Sequence, residues 1–85
     1  MNYRVRWSAV AEDELTRIWL QASDRDEVTK AAQSIDKRLA GNAPNEGESR
    51  VRGRIIFASP LAARYRVYQN SNDVEVAHVW RYRAG

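Results

Sequence analysis

With 85 residues and 44% hydrophobic content, the chain has room for one domain with a thin core. It has no cysteine and a single histidine, His78, so disulfide staples and thiolate or multi-histidine metal sites are excluded and no cofactor is expected. Formal net charge is +3, no apolar run approaches the roughly 20 residues of a membrane helix, and residues 1–7 lack the apolar core of a signal peptide, which predicts a soluble, cytoplasmic protein.

Tyr3, Val5 and Trp7 alternate with Arg4 and Arg6, the period of two of a strand with one apolar face. Ser8 then suits a helix N-cap, its hydroxyl accepting from a free amide of the first turn. Glu12, Asp13 and Glu14 complement the positive end of that helix. Ala11, Leu15, Ile18, Trp19 and Ala22 recur at helical spacing, which predicts a helix over 9–22 with Trp19 on its core face. Ser23-Asp24 breaks it, and Asp24-x-x-Glu27 fits a capping box. Val28, Ala31, Ala32, Ile35 and Leu39 mark one face of a second helix, with Gly41 as its stop and Pro44 beyond. So short a joint predicts an antiparallel helix hairpin. Residues 42–49 read as a polar loop. The period then returns to two, giving a strand over 52–57, a turn at Ser59-Pro60 and a strand over 61–69. Asn70-Ser71-Asn72-Asp73 reads as a hairpin loop, and the last strand covers 74–82.

The order β-α-α-β-β-β predicts a single α+β domain over 1–85, with the helix hairpin packed on one face of a four-stranded, mainly antiparallel sheet. Charge is unevenly spread along it. Residues 1–40 carry seven basic and seven acidic side chains, whereas residues 50–85 carry seven arginines against Asp73 and Glu75 alone. A guanidinium pairs bidentately with phosphate and stacks on bases, so this field favours a polyanionic or acidic partner.

Several segments in this order resemble the RelE/ParE superfamily, the toxins of type II toxin–antitoxin systems of the plasmid stabilisation type. They are Trp7-Ser8…Ala11-Glu12-x-Glu14-Leu15…Ile18-Trp19, Ala32…Ile35-Asp36…Leu39 and Gly47-Glu48-Ser49-Arg50…Gly53-Arg54. The likeness continues through Pro60-Leu61…Tyr65-Arg66-Val67-Tyr68 and Val74-x-Val76…His78-Val79-Trp80-Arg81, covering nearly the whole chain. The resemblance implies a cognate antitoxin that wraps the toxin, and one of two activities on one scaffold. RelE-like members are ribosome-dependent mRNA interferases, whose partners are the ribosome and mRNA. ParE-like members bind DNA gyrase and do no chemistry of their own. The RelE-like reading is adopted here, with the gyrase inhibitor as the alternative and a non-toxic, degenerate binding member as a third.

Cleavage of RNA by its own 2′-hydroxyl needs a base, positive charge on the phosphorane-like transition state, and an acid for the leaving oxygen. Arg54, Arg66, Arg81 and Arg83 are the candidate phosphate ligands, with Tyr82 and His78 as candidate proton carriers. Arg50, Arg52, Arg64, Arg83 and Trp80 are candidate nucleic-acid contacts. Strand alternation puts Arg52 with Arg54 and Arg64 with Arg66, so pairing of their strands would gather four guanidinium groups on one surface. The plainer reading makes each one the solvated side of a sheet. His78 shares strand parity with Val74, Val76 and Trp80, which favours a half-buried structural histidine over a site residue. The nuclease subgroup ending in Arg-Tyr-His-Tyr matches Arg81-Tyr82 in register, but Arg83 stands where its histidine would be, and arginine is a poor proton shuttle. Tyr82 either stacks on a base, moves a proton or merely covers the sheet end. Glu46 and Glu48 are loop carboxylates that either act as a base or, more simply, pair with Arg50 or Arg52. Trp7 and Trp19 are expected in the core, with Trp80 left as a stacking platform.

Overall fold

Ser8 turns the chain from strand to helix as expected. Its Oγ accepts from the Ala11 amide at 3.0 Å while its hydroxyl donates to the Ala77 carbonyl at 3.1 Å. In the computed structural model, which describes residues 2–82, this cap joins β1 (Arg4–Trp7) to α1 (Ala9–Gln21). A three-residue joint leads into α2 (Arg25–Asn42), which runs through Gly41 instead of stopping there. Pro44, which has no amide to donate, lies in the 3-10 turn Ala43–Asn45 that follows. Asp24 stands at the N-cap of α2 but makes no capping hydrogen bond, because its carboxylate is taken by Arg81. The capping box is therefore not formed.

Four strands follow the helices: β2 (Glu48–Arg50), β3 (Gly53–Ala58), β4 (Leu61–Tyr68) and β5 (Asp73–Arg81). The sheet has five strands, one more than expected, in the order β1-β5-β4-β3-β2. Only β1 and β5 run parallel. The added strand is β2, whose three residues are all exposed, so no apolar alternation announces it.

Both helices pack on one face of this sheet. Ala11, Val28, Ile35 and Leu39 meet Ile56, Ala63, Tyr65, Val74, Val76 and Val79 in one buried cluster. Removing these apolar side chains from water, at roughly 25 cal/mol per Å2, is the main force holding the two layers together. Trp19 departs from the expectation: it is 40% exposed, its Nε1 donates to Thr29 Oγ1 at 3.2 Å, and the Arg25 guanidinium lies 4.6 Å over its ring. Trp7 is half-buried and ties β1 to α2 through Nε1 to Asp36 Oδ1 at 2.6 Å.

A bulge interrupts β5. The pairing passes from Arg64↔His78 to Tyr65↔Val76 and skips Ala77. Val74, Val76 and Val79 all face the helices as a result, while His78 and Trp80 turn to the opposite face. His78 is thereby removed from the parity of Val74 and Val76, which corrects the parity argument, and its side chain is 49% exposed on the open face. Past Val76, β5 also loses its strand neighbour, since β1 ends at Trp7. Side chains of the α1 segment close that edge: Ser8 holds the Ala77 carbonyl, and Glu14 Oε1 accepts from the Val79 amide at 3.1 Å. No helix among the described residues is long and apolar enough to cross a membrane.

Candidate nucleic-acid interface

The sheet face away from the helices is ordered in cross-strand rows. Ile55, Arg64 and His78 form one, Phe57, Ala62 and Trp80 the next, and Arg66, Glu75 and Arg6 a third on the other side. Residues directly opposite in neighbouring strands lie about 4.5–5.5 Å apart at Cβ, so each row is a set of neighbouring residues on one face. Phe57 and Trp80 flank the buried Ala62, and Tyr82 meets Phe57 edge-on with ring centroids 5.1 Å apart. The face thus runs from an aromatic end, through two arginines and an imidazole, to a compensated end where Arg4 pairs with Asp73 at 2.9 Å.

Arg64 and Arg66 are the two expected site arginines of β4 and lie on the face away from the helices. Neither forms an ion pair with a carboxylate among the described residues, and the Nε of Arg64 is buried without a hydrogen-bond partner. Arg54 stands opposite Tyr65, not opposite Arg64, and so faces the helices. Its Nε donates to the Glu46 carbonyl at 2.9 Å and to the Tyr65 hydroxyl at 3.3 Å, and its Nη2 donates to the Gly47 carbonyl at 3.2 Å. Arg81 stands opposite Leu61, also on the helix side, and holds Asp24 through two 3.0 Å hydrogen bonds. That contact keeps the Asp24 carboxyl below its ordinary range and raises the Arg81 guanidinium. The single surface of Arg52, Arg54, Arg64 and Arg66 expected from alternation is therefore split between two faces, and Arg83 lies outside the described residues.

A second basic feature gathers several of these side chains at the end of the sheet. β3 begins at Gly53, so the last residues of β4 have no neighbour on that side. Arg50, Arg52, Arg54 and Arg66, with Pro44 and Tyr68, line a groove of about 520 Å3 there. Gly53 makes the turn possible: its φ is 129°, and a Cβ would sit 2.7 Å from the Tyr65 carbonyl oxygen. Arg66 lines the groove and also lies on the open face.

Two residues outside the expected set shape the surroundings. Tyr65 is fully buried, and its hydroxyl is shared between the Ala43 and Glu46 carbonyls, fixing the loop that Arg54 also grips. Burial pushes its phenol pKa up, against the opposing pull of Arg54. Glu14, legible in sequence only as a helix-start acid, lies 3.5 Å from His78 Nδ1. Of the loop carboxylates, Glu46 pairs with Arg38 at 2.8 Å, not with Arg50 or Arg52, while Glu48 pairs with Arg50. Among the described residues, no group of three or more His, Cys, Asp or Glu could hold a metal ion.

No family model matches the chain, and no curated protein matches it in sequence. Solved structures do share its fold. A chain of the toxin–antitoxin complex RelBE2 from Mycobacterium tuberculosis aligns with a TM-score of 0.75 at 15% identity, over 96% of this chain and 100% of that one. A chain of the chromosomal ParDE TA system from P. aeruginosa aligns with a TM-score of 0.65 at 20% identity, over 95% and 97%. The chain thus shares the fold of these toxin–antitoxin complex chains, as the sequence resemblance implied for its fold.

Proposed function

We propose that this chain is the toxin of a type II toxin–antitoxin pair and that it cleaves mRNA at the ribosome with the open face of its sheet. The observation that carries this reading is Arg64 standing opposite the half-exposed imidazole of His78, with Arg66 two residues along the same strand on the same face and neither guanidinium ion-paired. Attack of a 2′-hydroxyl forms the 2′-O–P bond and breaks the P–O5′ bond. His78 accepts the 2′ proton, Arg64 and Arg66 neutralise the charge gathering on the phosphoryl oxygens, and water protonates the leaving 5′ oxygen. A donor aimed at such developing charge contributes about 3–4 kcal/mol to lowering the barrier. Tyr82 is four residues from His78, about 13 Å along the strand at roughly 3.3 Å per residue. It is too distant to share the scissile phosphate, and stacking of a neighbouring base on Trp80 and Tyr82 fits it better.

Arg54 and Arg81 take structural roles in this reading, because each is already spent on carbonyls or on Asp24. The set supplies charge and one proton carrier but no dedicated acid, which fits an enzyme whose RNA is presented and shaped by the ribosome. The groove beside Arg66 suits an acidic segment of the cognate antitoxin, which would screen that arginine from RNA. Primer extension on a reporter mRNA in a defined translation mixture tests the proposal. New 3′ ends are expected with ribosomes and not without them, and they should vanish in Arg64→Ala and His78→Ala. Intact mRNA alongside a growth defect and DNA-damage signalling would replace this reading with gyrase inhibition. Intact mRNA with normal growth would leave a non-toxic member of the fold.

A further inference from the structure

We infer that Glu14 is a positioning residue that holds the His78 ring as its Nδ1–H tautomer and so leaves Nε2 as the free, proton-accepting nitrogen. The inference deepens the RNA-cleaving reading, and its role in activity rests on that reading. It begins at the unpaired edge of β5. Because β1 stops at Trp7, the Val79 amide has no strand partner, and Glu14 Oε1 accepts from it at 3.1 Å. A carboxylate anchored through one oxygen has little freedom left. Its other oxygen lies 3.5 Å from His78 Nδ1, and Oε1 itself is 3.4 Å away. The bulge at Ala77 completes the arrangement by turning His78 out of the core and into the row of Arg64.

An ionised carboxylate can only accept hydrogen bonds, so the nitrogen facing it is favoured as the protonated one. In a neutral imidazole that fixes the lone pair on Nε2. The charged groups around the ring are then Glu14 from α1 and Arg64 from β4, one oriented to the imidazole and the other available to a phosphate. Glu14 makes no contact with RNA in this scheme. It acts through His78 alone.

The two jobs of Glu14 can be separated by Glu14→Gln. The amide retains one oxygen, which keeps the bond from the Val79 amide, and presents its NH2 group to Nδ1. A donor there favours the opposite tautomer, Nε2–H, and removes the lone pair from the working nitrogen. The experiment is 15N NMR of the full chain labelled at histidine, at a pH where the ring is neutral, with Val79 amide protection as the check on folding. The native protein is expected to show Nδ1–H, and Glu14→Gln to show Nε2–H with Val79 still protected. Cleavage by the variant should fall about 10²-fold, the lower end of what a general base contributes. An Nε2–H tautomer in the native chain overturns the inference without any variant, and so does an unchanged tautomer in Glu14→Gln. A tautomer that switches in a chain with no cleavage activity at all removes the RNA reading and leaves the positioning role in place. Cleavage without the switch does the reverse.

Discussion

Arg54 and Arg64 lie on strands that pair with one another, yet the pairing register makes them different chemical objects. Arg54 is opposite Tyr65 and gives its donors to the Glu46 and Gly47 carbonyls; Arg64 is opposite Ile55 and keeps its own. Binding of single-stranded RNA should separate them by salt. Each phosphate contact contributes about 0.7 to the slope of log K against log salt, so Arg64→Gln should lower that slope by about 0.7. Arg81→Gln, whose native side chain serves Asp24, should leave it unchanged in the same fluorescence-anisotropy titration of a labelled oligonucleotide. An equal fall in both variants would return Arg81 to the phosphate. At this scale the sequence made the arginines and the histidine visible and misplaced several of them on the sheet. Spacing along a strand tells which arginines share a face of that strand; it is silent on the cross-strand register that decides which face. The parity argument for His78 failed for a related reason, since a single unpaired residue at Ala77 reverses the alternation and alanine leaves no signal of it.

The elements themselves were more legible, and where they were not, a competing partner explains it. Both helices follow from apolar residues at helical spacing, and β1, β3, β4 and β5 from alternation. β2 escaped because an exposed edge strand of three residues needs no apolar face. The capping box at Asp24 failed because its carboxylate found a bidentate guanidinium 57 residues away. That bond ties the joint between α1 and α2 to the end of β5, and it has a pH signature. Arg81's hydrogen bond holds the Asp24 carboxyl below its ordinary value of 3.8, so the contact stabilises the folded chain above that value. The contribution is lost as pH falls through the lowered folded value, where Asp24 takes up its proton. Asp24→Asn should therefore be less stable than the native chain at pH 7, with the gap closing below about pH 4 in denaturant melts. A gap that stays constant on acidification would mean that the pair contributes nothing through ionisation.

At the scale of the whole molecule, the chain is divided into a slightly acidic helical layer and a sheet whose far side and one end carry many of the cations. The groove and the open face meet at Arg66, so an acidic occupant of one and a polyanion on the other compete for the same guanidinium. The parallel pairing of β1 with β5 adds a consequence in time. Arg4 is in register with Asp73 and Trp7 with Val76, so β1 has no seat until β5 exists. Contacts of such long sequence separation form late, because the loop between them must be closed first. β5 also carries His78 and Trp80, so neither the sheet nor its working face can be assembled on a chain still missing that strand. Nascent chains stalled before Asp73 should be digested by protease as unfolded polypeptide, and chains released after Arg81 should resist. Until β5 is made, β1 has no seat and the open face lacks His78 and Trp80, so the activity proposed for that face waits on the completion of a single strand.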